Sequence, residues 1–547
     1  MKKILLYTFI LVAISCKLVA QTTNNTTIPT KPKLIIGLVV DQMRWDYLYR
    51  YESKYTANGF KKLLAQGYSC ENTQIPYVPT YTAPGHTCIY TGTVPAINGI
   101  IANNWYNKNI EKSIYCTDDA RYTSVGDSSV AGKMSPVNML TTSICDELKL
   151  ATNFKSKTIG IAIKDRGAIL PAGHSADGAY WYSGTSGRWI TSSYYRKELP
   201  SWVKASNDSL AKNGKMNDTW KTIFELEKYH ESTEDNVVWE SPYKNEDKPV
   251  FVHNIKTLLD ASPDILKALP YGNKMTLDFA KNAIRGEELG KDNITDFLTV
   301  SLSSTDYIGH QFGTNSVEIE DTYLQLDREI ASFINYLDLT VGIGKYLLFL
   351  SADHGAAHNA TFLQTNKIPA GNLMLDSMNR KVSDFVLREF KDSTLLFGIA
   401  NQQIYLNHTA IKNDKEKLDN IKYKLSNFIK SIPGVMDVVD LSNINNASII
   451  AELKTLIQNG YNAQRSGDLY IILNPAWMED FTKGTTHGTS FKYDTHIPLV
   501  WYGWNVKPGK DYNTIYMTDI APTIASMIQI QEPNGCIGKP ILGLLKK

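Results

Sequence analysis

The chain has 547 residues, 43% hydrophobic and 20% charged, with a formal net charge of +2. This composition excludes a disordered or fibrous chain, and a near-neutral charge without long Lys or Arg runs excludes an electrostatic footprint for nucleic acid or an anionic membrane surface. A large globular core is expected, with any attraction for anions confined to local clusters.

At the N-terminus, Lys2 and Lys3 precede an apolar run over residues 4–14, closed by Leu18-Val19-Ala20. The run is too short to cross a bilayer, so residues 1–20 read as an export signal cut after Ala20, which places the chain in the periplasm. Ala13-Ile14-Ser15-Cys16 offers the alternative of a lipoprotein anchored through Cys16. Residues 21–32, rich in Thr and Asn, read as a flexible leader to a single domain over 33–547. No later stretch approaches the about 20 apolar residues of a transmembrane segment. Past the signal stand Cys70, Cys88, Cys116, Cys145 and Cys536, an odd number with no CxxC pair. These features disfavour zinc ribbons and a dense disulfide framework, while one or two bridges have room to form.

Three apolar runs of strand length follow in order: Lys33-Leu-Ile-Ile-Gly-Leu-Val-Val40, Phe297-Leu-Thr-Val-Ser-Leu302 and Tyr346-Leu-Leu-Phe-Leu350. Continuous apolarity marks strands of a parallel sheet buried on both faces. Each run delivers an aspartate just past its C-terminal end, Asp41, Asp306 and Asp353, which is where open α/β sheets place their ligands. Between the second and third runs, Tyr323, Leu326, Ile330, Phe333, Ile334 and Leu337 repeat at helical spacing, with Asp327, Arg328 and Glu329 off that face, predicting a crossover helix. Thr158–163 and 497–501 read as further strands. The fold class is therefore α/β, a central, mostly parallel sheet flanked by helices, with cap insertions at about 177–290 and 365–480.

A lone aspartate after a strand is ordinarily a turn or cap residue, and a lone histidine an ordinary hydrogen-bonded one. The joint occurrence of Asp41, Asp306, His310, Asp353, His354 and His487 changes that reading, because carboxylates and imidazoles together suit zinc. Asp306 and His310, four apart, share one face of a helical turn. Six ligands are too many for one tetrahedral ion and about right for two. His86, His174, His230, His253, His358, His408 and His496 keep the ordinary reading, with His358 and His496 close enough to the ligands in sequence to support them.

Thr82, in Val78-Pro-Thr-Tyr-Thr-Ala-Pro-Gly-His-Thr87, sits where a helix should begin, with Pro84 in its first turn. A plain N-cap is the ordinary reading; a nearby divalent cation would instead make the hydroxyl a nucleophile, aided by the positive helix end. Lys164-Asp165-Arg166 follows a strand, and alternation along an extended chain sends Lys164 and Arg166 to one side, as a clamp on phosphoryl oxygens.

These segments, with Leu38-Val-Val-Asp-Gln-Met-Arg-Trp-Asp-Tyr47, Ser304-Thr-Asp-Tyr-Ile-Gly-His310, Ser351-Ala-Asp-His-Gly-Ala-Ala-His358 and Gly484-Thr-Thr-His487, resemble the PafA-type alkaline phosphatases of Bacteroidota over essentially the whole mature chain. The resemblance implies two zinc ions, one held by Asp306, His310 and His487, the other by Asp41, Asp353, His354 and the Thr82 oxygen. It also implies that Asn103 joins Lys164 and Arg166 in binding substrate, although Asn104 beside it is an equal donor by sequence alone.

The expected reaction is hydrolysis of small phosphate monoesters through a phosphothreonine. The alternative is a phosphodiesterase or nucleotide pyrophosphatase on the same metal core, which two cations facing the phosphoryl group disfavour. A sulfatase needs Cys-x-Pro-x-Arg, which neither Cys70 nor Cys88 provides. An export signal disfavours the phosphoglycerate mutases of the alkaline phosphatase superfamily, to which the resemblance points, and an Asp/His ligand set disfavours a binding protein with purely structural zinc. The oligomeric state is not legible, with the balance toward a monomer.

Overall fold

The computed structural model describes residues 31–545 except 109 and 213–217. The signal, the Cys16 lipid site and the leader up to residue 30 lie outside the described residues.

Seven strands carry the main sheet: β1 (Leu34–Val40), β2 (Thr158–Ala162), β3 (Gly178–Ser183), β4 (Arg188–Ser192), β5 (Asp296–Leu302), β6 (Tyr346–Ser351) and β7 (Leu499–Gly503). Their order is β4-β3-β2-β5-β1-β6-β7, within a ten-stranded sheet whose remaining strands are short edge pieces. β3, β2, β5, β1 and β6 are mutually parallel, and β4 and β7 flank them antiparallel. Every residue of β1, β5 and β6 is buried, as expected for strands covered by helices on both faces. The helices that matter for the site are α1 (Thr82–Thr91), α2 (Asp165–Ala172), α3 (Ser304–Phe312) and α4 (Val317–Leu337).

Away from the active site, sequence and structure part at four places. The strand expected at 497–501 breaks at Pro498, which has no N–H to give a ladder; its carbonyl accepts from Ser351 Oγ at 2.9 Å instead, and β7 starts at Leu499. Asp327, expected off the buried face of α4, is fully buried and accepts from the backbone N–H groups of Thr56 and Phe60, because a second helix packs over that side. The segment 177–290 is only partly a cap: β3 and β4 extend the main sheet, and helix Pro270–Gly286 packs against α4. Finally, the five described cysteines are all free, four of them buried.

The segment 365–480 builds its own four-stranded sheet, with helices Leu375–Phe390 and Lys415–Lys430 and a separate core around Val382, Ile404, Leu425 and Leu469.

Beside the N-terminus of α4 lies a buried acidic cluster. His253 faces Glu246 at 2.9 Å and Glu318 at 3.3 Å, and these carboxylates outweigh burial to hold its pKa up at about 9. Glu240, only 1% exposed and with neither carboxylate oxygen hydrogen-bonded, is pushed up to about 10 by burial and then by Glu318. A folded pKa above the unfolded value contributes stability that is complete below the unfolded pKa and lost as pH rises through the folded one. Both groups therefore make the fold less stable toward alkaline pH. Glu240→Gln is expected to melt progressively higher than wild type as the pH is raised from 6 to 10 in thermal scans; a constant difference would contradict this.

Candidate active site

The carboxyl ends of β1, β5 and β6 deliver the site. Asp41 directly follows β1, Asp306 lies in the first turn of α3, and Asp353 follows β6 by one residue. All three are buried. Thr305 Oγ1 donates to the Asp41 carbonyl, tying the first two strand ends together. His310, one helical turn beyond Asp306, places Nε2 3.2 Å from Asp306 Oδ1, and His487 comes in from its loop to 3.7 Å from the same oxygen. His354 Nε2 lies 3.6 Å from Asp41 Oδ1, 3.4 Å from Asp353 Oδ2 and 3.5 Å from Thr82 Oγ1. The six proposed ligands and the Thr82 hydroxyl thus meet in one place.

Two groups have ligand atoms close enough to share an ion: Asp306, His310 and His487, and Asp41, Asp306 and His354. The hydrogen-bond pattern fits cations there. His310, His354 and His487 each direct Nδ1 at a backbone carbonyl, of Thr485, Gly355 and Thr80, at 2.7, 3.1 and 2.6 Å. Nδ1 is then the protonated nitrogen, and Nε2 turns a lone pair toward carboxylate oxygens, an arrangement that repels unless a cation lies between. Burial holds His354 and His487 below the usual imidazole range, reinforced for His487 by the neighbouring His354. Asp41 Oδ1 and Asp353 Oδ2 are buried without a hydrogen bond. Burial, followed by the charge of Asp353, pushes Asp41 well above the ordinary carboxylate range.

Thr82 is the first residue of α1, and Tyr81 is the N-cap, without a side-chain cap bond, so the threonine does not serve as the cap. Gly85, one turn on, is required by a close approach: a Cβ there would run into the backbone carbonyl of Asp353. Asn103 Oδ1 accepts from the N–H of Ala83 at 2.9 Å, which fixes the amide beside Thr82 with its NH2 group as the remaining donor. Asn104 by contrast is exposed in a β-hairpin strand. Between the two, Asn103 is the one that stands beside Thr82.

Lys164 and Arg166 converge, but not by strand alternation. β2 ends at Ala162; Lys164 is the N-cap of α2 and Arg166 stands in its first turn. Both line a cavity of about 590 Å³ together with Tyr115 and Tyr307. Lys164 Nζ bridges Asp41 Oδ2 (2.7 Å) and Asp306 Oδ2 (2.5 Å) and stands 5.0 Å from the Tyr307 ring centre. Despite burial, those carboxylates hold its pKa above the usual lysine range. Arg166 Nε is buried without a partner, a donor suited to an anion.

His358 and His496, expected as supports, touch no ligand: His358 bonds to Asn315 and Thr314, and His496 stacks on Trp45 and faces the Glu71 carbonyl. The supporting histidine is His86, whose Nδ1 lies 2.9 Å from the Thr82 carbonyl and 3.3 Å from Asp353 Oδ2 while Nε2 meets Ser301. Its position four residues after Thr82, one helical turn, was the available signal. Gln42 is a second support: Nε2 donates to Asp306 Oδ1 (2.7 Å) and the backbone N–H to Asp353 Oδ1 (3.2 Å), at a positive φ of 64°.

The family model of type I phosphodiesterase / nucleotide pyrophosphatase matches residues 35–504. The chain is 48% identical over 516 residues to alkaline phosphatase PhoV of Synechococcus elongatus, covering 94% of this chain and 93% of that one. It is 49% identical over 516 residues to a Myroides odoratus protein named a calcium-transporting ATPase, with 93% and 94% covered. Among the described residues, no helix is long and apolar enough to cross a membrane. The crystal structure of wild-type alkaline phosphatase PafA superimposes with a TM-score of 0.93 at 45% identity, covering 95% of this chain and 100% of that chain.

Proposed function

We propose that this chain, which belongs to the type I phosphodiesterase / nucleotide pyrophosphatase family and is an alkaline phosphatase of the PafA type, hydrolyses phosphate monoesters through a phosphothreonine on Thr82 with two zinc ions, in the periplasm. The observation that carries this reading is the meeting of the Thr82 hydroxyl with His354 and three buried aspartates, beside Lys164 and Arg166.

The Asp/His donor set suits zinc, held by Asp306, His310 and His487 and by Asp41, Asp353, His354 and Thr82; when bound, the ions supply Lewis acidity for the hydroxyl and the leaving oxygen. Thr82 Oγ1 forms a bond to phosphorus as the ester P–O bond breaks and the alcohol departs. Water then takes the phosphoryl group from Thr82, giving inorganic phosphate and the free hydroxyl. Asn103, Lys164 and Arg166 hold the non-bridging oxygens, where charge gathers, and the N-terminal end of α1 adds its positive dipole.

Metal analysis of the purified protein is expected to give two zinc per chain. Removal by a chelator should abolish monoester hydrolysis, and zinc should restore it. One equivalent, or full activity without metal, would refute the two-ion reading. A diester lacks one free non-bridging oxygen, so p-nitrophenyl phosphate should be hydrolysed with kcat/KM at least about 10²-fold above its bis ester. The reverse order would establish the diesterase reading.

A further inference from the structure

We propose that Tyr115 is a positioning residue that locks Arg166 for recognition of the phosphoryl group, an inference that rests on Arg166 being part of the phosphoryl clamp. Arg166 ends a long, flexible side chain, and immobilising such a chain costs rotamer entropy unless the fold has already done it. Tyr115 does so here. Its hydroxyl accepts from Arg166 Nη1 at 3.0 Å and donates to Asp165 Oδ1 at 2.5 Å, and the same carboxylate oxygen accepts the backbone N–H of Arg166 at 2.6 Å.

The polarity of this triad is fixed. A phenol carries one proton, and with that proton given to Asp165 the oxygen offers only lone pairs to the guanidinium. Burial, and next the charge of Asp165, pushes the Tyr115 hydroxyl well above its ordinary range, which favours the protonated phenol that the geometry requires. Nη1 is thereby anchored, while Nε remains buried without a partner.

The backbone extends the link to the nucleophile. Tyr115 lies opposite Asn104 in a hairpin of strands Asn104–Asn107 and Lys112–Tyr115, and Cys116 N–H donates to the Asn103 carbonyl at 2.9 Å. Asn103 is held in turn on Ala83, next to Thr82. One hairpin therefore spaces a phosphoryl donor, the anchor of a second donor and the start of the nucleophile helix. The phenol has no proton left for substrate, so its effect must pass through Arg166.

The test is a double-mutant cycle on the zinc-loaded enzyme, with melting temperature and metal content recorded for each variant. Tyr115→Phe should lower monoester kcat/KM on the order of 10-fold and weaken inhibition by inorganic phosphate in parallel. Bis-ester hydrolysis should change by less than about 2-fold, because a diester depends less on the clamp. In an Arg166→Ala background, Tyr115→Phe should have no further effect. Asp165→Asn, which alters the other end of the triad and keeps the ring, should act in the same direction and likewise vanish without Arg166. Independent, multiplying losses, or unchanged monoester turnover in Tyr115→Phe, would overturn the proposal. Were Arg166→Ala itself silent, the clamp reading would fail and take this one with it; a large Arg166→Ala loss with a silent Tyr115→Phe would sink the positioning role alone.

Discussion

Replacing Thr82 by alanine is expected to lower monoester turnover by at least about 10³-fold while leaving bound zinc and melting temperature near their wild-type values. Thr82 is 1% exposed and begins α1, but Tyr81 is the N-cap, so alanine removes a hydroxyl without removing a helix cap. The neighbouring backbone is held independently by Asn103 on Ala83 and by the close packing of Gly85 on Asp353. Asp41, Asp306, His310, Asp353, His354 and His487, the other proposed metal ligands, all lie outside α1, and His354 Nε2 stands 3.5 Å from the Thr82 hydroxyl. The loss then reports chemistry rather than collapse. Thr82→Ser keeps a hydroxyl and should recover most of the rate. Acid-quenched wild-type enzyme should carry one phosphoryl group on the peptide containing Thr82, and the alanine variant none. Full turnover by Thr82→Ala with intact zinc would remove the nucleophile from the mechanism.

How much of this was legible depended on how local each signal was. β1, β5 and β6 were readable because each is an unbroken apolar run, and the aspartates could be placed because such strands end at the ligand edge of a parallel sheet. Asp306 and His310 were readable as a pair because four residues is one helical turn. Lys164 and Arg166 were placed together for the wrong local reason: helix α2 starts at Asp165, and a helix start rather than a continuing strand brings the pair to one cavity. Tyr115 was invisible, since nothing in its own neighbourhood announces a partner 51 residues away. Gln42 stands next to Asp41, yet its role depends on a positive φ that turns its amide back toward Asp306, and side-chain type does not encode that. The cap boundaries blurred for a related reason: β3 and β4 carry Trp and Tyr like the cap around them, and only their pairing assigns them to the main sheet.

Removing both cations of the clamp, Lys164→Ala with Arg166→Ala, should cost monoester kcat/KM about 10³-fold or more, since each donor aimed at developing charge is worth about 10²–10³ and partners in one clamp are not additive. Bis-ester hydrolysis should fall far less, because one of the oxygens the clamp would hold is esterified. The ratio between the two substrates should therefore drop by at least about 10-fold. Metal loss is not an adequate alternative cause. Lys164 Nζ lies 2.7 Å from Asp41 Oδ2 and 2.5 Å from Asp306 Oδ2, so it competes with any cation for the same carboxylates. Deleting it leaves Asp41 and Asp306 with more uncompensated negative charge, which should strengthen metal binding rather than weaken it. A variant with unchanged or tighter zinc, a collapsed monoester rate and a largely preserved diester rate is the expected outcome. Equal losses on both esters would mean that Lys164 and Arg166 serve the metal site and not the phosphoryl oxygens.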